Sequence, residues 1–319
     1  MKETQEKLDT VLQENRRRSS DRPSTLEANG FFVQELIGRG TFSTVKKAYW
    51  LKKKKNVAIK IMSKSNTSDT FMLKYAPREL DIIRTVQHDN IIKFYEVIET
   101  TMRFYIIMDY AEKGSLLNLL REKKTLAESR VRTYYSQLID AIEYIHKAGI
   151  VHRDIKCENV VLDSQDHVKL IDFGFACRLW DQKTGQLNEM KPYLSQTFCG
   201  SHAYASPEIL VFKPYNPIPA DVWSSGVVLY ALLFGRLPFT NGKDPKVLLK
   251  LIANGAKFPS DVVVSDNVQW LLNKIFVPAT ERMTVAQIRR FLRFCNESDG
   301  KSQRVHVSAS KRIKLNNKN

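Results

Sequence analysis

The stretch from Ile150 to Gly174, IVHRDIKCENVVLDSQDHVKLIDFG, constrains this chain more than any other. Two short apolar runs, Val160–Leu162 and Val168–Ile171, predict strands joined by a polar turn over Asp163 to His167. A loop with His152, Arg153 and Asp154 precedes them, and Asp172 follows, just before a Phe and a Gly that lets the backbone turn. Such a layout brings Asp154, Asn159 and Asp172 to one site. Asn159 and Asp172 offer oxygen donors of the kind that a hard cation such as Mg²⁺ takes, few from protein and the rest from phosphate and water. Asp154 is left to accept a proton from a hydroxyl. Positioning, charge neutralisation and one weak base are what phosphoryl transfer needs.

His152-Arg153-Asp154, Lys156, Asn159 and then Asp172-Phe173-Gly174 together resemble the catalytic core of protein kinases. The resemblance implies an α+β, bilobal protein-kinase fold. It has a small antiparallel-sheet lobe with one main helix and a larger, mostly helical lobe. It implies ATP and Mg²⁺ as cofactors, with Asn159 and Asp172 on the metal and Asp154, Lys156 and Asn159 as the catalytic set. Lys156, two residues after the base, resembles the serine/threonine-specific loop. His152 then serves as a structural link packing towards Phe173.

The rest of the chain supplies the missing parts in order. Phe31–Arg39 and Thr44–Leu51 read as strands around Gly38-Arg39-Gly40-Thr41-Phe42-Ser43. A Gly-rich hairpin can press N–H groups against phosphate oxygens. The kinase pattern has a third Gly where this chain has Ser43, and a tight hairpin alone would explain the two that are present. A dinucleotide-binding reading needs a helix after the glycines, and β-branched and aromatic residues follow instead. Lys60 lies inside the apolar strand Asn56–Met62, where a charge is costly without a partner. Pro77 begins a helix whose Glu79 is the natural partner. Asn90–Thr100 and Arg103–Asp109 complete a five-stranded sheet. By resemblance Met108 stands at the back of the ATP pocket, and Asp109 and Ala111 offer backbone groups to adenine. Ile37, Gly38, Gly40, Val45, Ala58, Lys60, Glu79 and Val161 join them in holding the nucleotide. Ser115 stands where kinases often place an acid, so a strong ribose or substrate-arginine contact is not expected there.

Leu116–Glu122 reads as a short helix and Ala127–Ala148 as a long one, with Val131, Tyr134, Tyr135, Leu138, Ile139, Ile142 and Ile145 at helical spacing. Phe175–His202 resembles an activation segment, closed by Ser206-Pro207-Glu208, with Arg282 as the expected partner of Glu208. Pro219–Gly235 is almost wholly apolar after Asp221 and predicts a buried helix. Asp221 is expected either to cap that helix or to hold the backbone of the His-Arg-Asp loop. Residues 245–254, 266–277 and 284–294 read as further helices. Arg153 precedes the base and wants an anion. No Asp or Glu lies between Lys191 and Pro207, and Thr197 is the candidate regulatory phosphosite that would supply one.

These segments divide the chain into a flexible tail over 1–29, a kinase domain over 30–295 with lobes at 30–110 and 111–295, and a basic tail over 296–319. The 43% of hydrophobic residues supply a core, and no apolar run approaches the ~18 residues that would argue a membrane span. The four Cys lack metal spacing, and no signal peptide precedes the domain, so the expected compartment is the cytoplasm or nucleus. The net charge of +16 raises a nucleic-acid reading. The first tail is neutral, the last carries +4, and the remaining +12 is spread over the domain, which favours a basic surface instead. Within the kinases, Cys157 together with Thr197-Phe198-Cys199-Gly200-Ser201 resembles the testis-specific serine/threonine kinases. That implies protein substrates and a role in sperm development. The Glu158 carboxylate predicts a modest preference for basic residues upstream of the acceptor, and Thr197 an upstream activating kinase or self-activation. The alternative is a pseudokinase acting by binding partners; Lys60, Asp154, Asn159 and Asp172 are all present, which disfavours it.

Overall fold

The computed structural model describes residues 24–40, 43–64, 76–179, 202–212, 215–240 and 244–295. The described chain forms two compact units. One takes the residues up to Pro77 with Ile92–Ala111; the other takes Arg78–Ile91 and those from Glu112 onward.

The first unit is an antiparallel sheet of β1 (Phe31–Arg39), β2 (Ser43–Trp50), β3 (Lys55–Ser63), β4 (Phe94–Glu99) and β5 (Arg103–Asp109), in the order β1-β2-β3-β5-β4. A small core of Phe31, Ala48, Trp50, Val57, Ile59 and Ile107 covers one face. The predicted tail ends earlier than the sequence suggests. Residues 24–28 form a capped turn, α1 (Thr25–Ala28). Ser24 Oγ accepts from the Glu27 N–H at 3.3 Å, and Glu27 Oε2 accepts from the Ser24 N–H at 2.8 Å. Leu26 is thereby seated in the sheet core.

β4 starts four residues later than expected. Asn90 and Ile91 are used by the second unit instead: Asn90 Nδ2 donates to Val168 O at 3.0 Å, and the Leu170 N–H donates to Asn90 O at 2.8 Å. An alternating apolar pattern could not reveal that competing use.

The second unit holds α2 (Ala76–Thr85) from Arg78 onward, α3 (Leu116–Lys123), α4 (Glu128–Lys147), α5 (Pro207–Leu210), α6 (Pro217–Phe234), α7 (Pro245–Ala253), α8 (Asp266–Ile275) and α9 over residues 285–295. The predicted stripe of α4 is buried throughout. α6 begins at Pro217, two residues ahead of expectation, because Asn216 Oδ1 accepts from the Ile218 N–H at 3.0 Å and the prolines sit in the first turn. This helix is long and apolar enough to cross a bilayer, contrary to the expectation that no such run exists, but 83% of it is buried, so it is the core of this unit. It ends at Gly235, with φ +65°; a Cβ there would stand 2.4 Å from Lys124 O. Two small ladders complete the unit: β6 (Ile150–Val151) with β9 (Cys177–Arg178), which the sequence did not reveal, and β7 (Val160–Leu162) with β8 (Val168–Leu170).

Candidate active site

In the helical unit the site is built around a buried carboxylate. Asp221 does not cap α6; it holds the loop. Its Oδ2 accepts from the His152 N–H at 2.9 Å and its Oδ1 from the Arg153 N–H at 2.8 Å. His146 Nε2 donates to the same carboxylate at 2.9 Å. Burial opposes the charge of Asp221, but the His146 hydrogen bond and the neighbouring imidazoles outweigh it and hold the carboxyl below its usual value. The contact from His146 was not foreseen; it follows Ile145, the last residue of the buried stripe of α4, and that place beside the stripe is the signal that could have found it.

Arg153 takes φ +64°, a left-handed conformation uncommon for a side chain of its size. The double anchor on Asp221 imposes it. The Arg153 guanidinium donates through Nε to Phe175 O at 2.6 Å. His152 is fully buried, and both ring nitrogens are committed: Nε2 donates to Ile171 O at 3.0 Å, and Nδ1 accepts from the Asp154 N–H at 3.3 Å. Its ring meets Phe173 edge-on at 5.0 Å. This is the structural link expected of it.

Asp154 is the convergence point. Its Oδ2 accepts from Lys156 Nζ and from Asn159 Nδ2, each at 2.8 Å. Asn159 Nδ2 also donates to Asp154 O at 2.8 Å. With the amide nitrogen so placed, Asn159 Oδ1 is the atom that remains for a ligand. Burial pushes the Asp154 carboxyl above its ordinary value, against the opposing pull of Lys156. Cys157, in the turn between them, is fully buried, and its thiol is pushed up to about 12, chiefly by that burial. Glu158 Oε2 is buried and accepts no hydrogen bond among the described residues.

β7 and β8 set the remaining residues. Asp163 Oδ1 closes their turn by accepting from the Gln165 and His167 N–H groups at 3.0 and 2.8 Å. The Ile171 N–H donates to Asn159 O at 2.9 Å, which ties the strand end to the loop. Asp172 then takes φ +65°. A Cβ on Gly174 would meet Asp172 Oδ1 at 3.2 Å and Glu79 Oε2 at 3.5 Å. Glycine there lets both carboxylates lie against the same backbone, and Glu79 on α2 is buried. Val161 is buried on β7.

In the sheet unit, Gly38 faces Val45 across the hairpin, and the Gly40 N–H donates to Ser43 O at 2.8 Å. Ile37 is exposed. Lys60 is buried in β3, paired with Val45 on one side and Ile106 on the other. Ala58 is paired with Met108. Asp109 departs in part from expectation. Its N–H donates to Lys93 O at 2.9 Å, and its carboxylate accepts from Lys55 Nζ at 2.6 Å and from the Tyr95 hydroxyl, so its N–H is not on offer to a ligand. Ala111 ends the unit. Lys60 and Glu79 fall in different units. Ser115, in the helical unit, caps α3: its Oγ accepts from the Asn118 N–H at 3.2 Å, a role that explains a small hydroxyl there. Thr197 and Ser201 lie outside the described residues.

The Glu208–Arg282 pair foreseen from the sequence is present. Arg282 donates through Nη1 and Nη2 to the two carboxylate oxygens at 2.6 and 3.0 Å, and also to Pro219 O at 2.7 Å. Trp223 stacks beneath it, 4.9 Å from ring centre to guanidinium.

A family model described as "protein kinase domain" matches residues 31–291. Testis-specific serine/threonine-protein kinase 4 of Homo sapiens is 39% identical over 272 residues, covering 83% of this chain and 82% of that one. Testis-specific serine/threonine-protein kinase 3 of Mus musculus is 41% identical over 254 residues, covering 79% and 91%. The third relative, testis-specific serine/threonine-protein kinase 2 of Mus musculus, is 38% identical and covers 82% and 72%. With its sheet unit, its helical unit and its loop residues in family order, the chain belongs to the protein kinase family, alongside the testis-specific serine/threonine kinases.

Proposed function

We propose that this chain transfers the γ-phosphate of ATP to serine and threonine hydroxyls of protein substrates. The observation that carries the reading is Asp154, a partly buried carboxylate steadied by Lys156 and Asn159. Asp154 orients the acceptor hydroxyl and takes its proton. Lys156 balances that charge and favours the transferring phosphoryl group. Asn159 Oδ1 and the Asp172 carboxylate are hard oxygen donors that fit Mg²⁺. When bound, the ion neutralises phosphate charge. Lys60 holds the α- and β-phosphates, and the backbone of Asp109 and Ala111 receives the adenine.

Regulation and substrate choice follow from the same residues. Phosphate on Thr197, added by this enzyme or by an upstream kinase, gives Arg153 its anion. Glu158, with an oxygen that no donor among the described residues satisfies, attracts a basic residue upstream of the acceptor. The likeness to the testis-specific kinases supports a role in sperm development, and the proposed compartment is the cytoplasm, with the nucleus as the alternative.

The test is transfer of label from γ-labelled Mg·ATP to a degenerate peptide library by the purified protein. Labelled Ser and Thr peptides enriched in upstream Arg or Lys support the proposal. Tyrosine labelling, or none, overturns it.

A further inference from the structure

We propose that Arg178 is a positioning residue, a clamp that ties the helix bearing Glu79 to the strand that leads into the catalytic loop. Its backbone pairs with Ile150 in the β6–β9 ladder, two residues before His152. Its side chain reaches the other way, to α2. Nε donates to Asp81 Oδ2 at 2.9 Å, and Nη2 donates to Thr85 Oγ1 at 2.9 Å. Asp81 and Thr85 are four residues apart and therefore share one face of the helix. A planar guanidinium can address two acceptors on that face at once, which a lysine ammonium cannot do in the same geometry. The Arg178 side chain is 15% exposed and that of Asp81 57%, so solvent screens the pair in part and the geometry of the fork matters more than the charge.

The connection has two further anchors. The Leu179 N–H donates to Gly149 O at 2.7 Å, which fixes β9 to the end of α4. Glu79 lies two residues before Asp81 on the same rigid helix, and its carboxylate sits against Gly174. One side chain thus sets α2 against the segment that carries Asp172, and any shift of β9 moves Glu79 with it. The inference rests on the kinase reading for its catalytic consequence, though not for the clamp itself.

The experiment has an arm for each. Amide hydrogen exchange of the peptide spanning residues 76–85 is compared in wild type, Arg178→Ala, and the exchanged pair Arg178→Glu with Asp81→Arg. Faster exchange in the single variant, restored in the exchanged pair, is expected. Transfer assays on the same proteins should show kcat lowered about fivefold in Arg178→Ala with the peptide KM unchanged, the scale of one partly screened ion pair. In a Glu79→Gln background, Arg178→Ala should lower the residual kcat no further. Unchanged exchange over 76–85 overturns the clamp, and independent, multiplying effects of the Arg178 and Glu79 substitutions overturn its route through Glu79. A wild type without transfer activity sinks the kinase reading, while the exchange arm still decides the clamp.

Discussion

Arg282 and Glu208 meet fork to fork in the helical unit, and the Arg282 side chain is wholly shielded from solvent. Removing one partner of such a pair strands the other. Glu208→Ala should therefore cost about 3 kcal/mol of stability, at the lower end for broken buried pairs, because three backbone carbonyls still receive the guanidinium. Urea unfolding measures it, and a loss below about 1 kcal/mol would show the pair to be dispensable.

Asp154 should display a conflict between activity and stability. Burial raises its carboxyl pKa, so the folded state holds the proton more tightly than the unfolded one. Its contribution to stability is greatest below the ordinary carboxylate range and is lost as pH rises through the raised value. At neutral pH the charge is thus a cost. Asp154→Asn should make the fold more stable at pH 7 while lowering kcat by about 10²-fold or more. The acid limb of the wild-type rate profile, set above the usual carboxylate value, should vanish in the residual activity of that variant. A less stable Asp154→Asn protein would contradict this account.

Asp166 works in the opposite sense. It accepts from Lys113, Arg130 and the Tyr134 hydroxyl. Burial opposes its charge, but these donors prevail and bring the carboxyl down to about 2. A depressed value contributes stability that is present above the unfolded pKa and is lost as pH falls towards 2. Asp166→Asn should cost about 1 kcal/mol at pH 7, since the cluster is partly exposed, and much less near pH 2. Thermal melts across that range test it; an equal loss at both ends would refute the assignment.

Lys60→Met and Asp172→Ala should each lower transfer by about 10³-fold or more, the scale for losing a charged stabiliser of the transferring group. Neither should prevent folding. Near-normal turnover in either variant would displace it from the proposed site.

Thr197→Ala and phosphatase-treated wild type should both transfer more slowly than untreated enzyme. Equal rates in all three would mean that Arg153 needs no phosphate partner.

Much of this was legible in the chain because short motifs carry their own geometry. The hairpin after Asn159, the stripe of α4 and the Glu208–Arg282 pair followed from spacing, composition and family order. Asp221 was legible only as one of two roles, since a buried acid near a helix start can accept N–H groups from its own first turn or from another loop equally well on paper. What spacing could not show were the contacts between distant segments: His146 with Asp221, Arg178 with α2, and the use of Asn90 and Ile91 by the helical unit. The side chain of Asp109 was similarly hidden, because Lys55 and Tyr95 reach it from separate strands.

Cys157 gives the catalytic loop a chemical clock. Alkylating reagents attack the thiolate, and burial denies this thiol both ionisation and access. Iodoacetamide should therefore mark Cys157 only in molecules whose loop has opened. The rate of its labelling, read by mass spectrometry against time, becomes a measure of how often the floor beneath Asp154 comes apart.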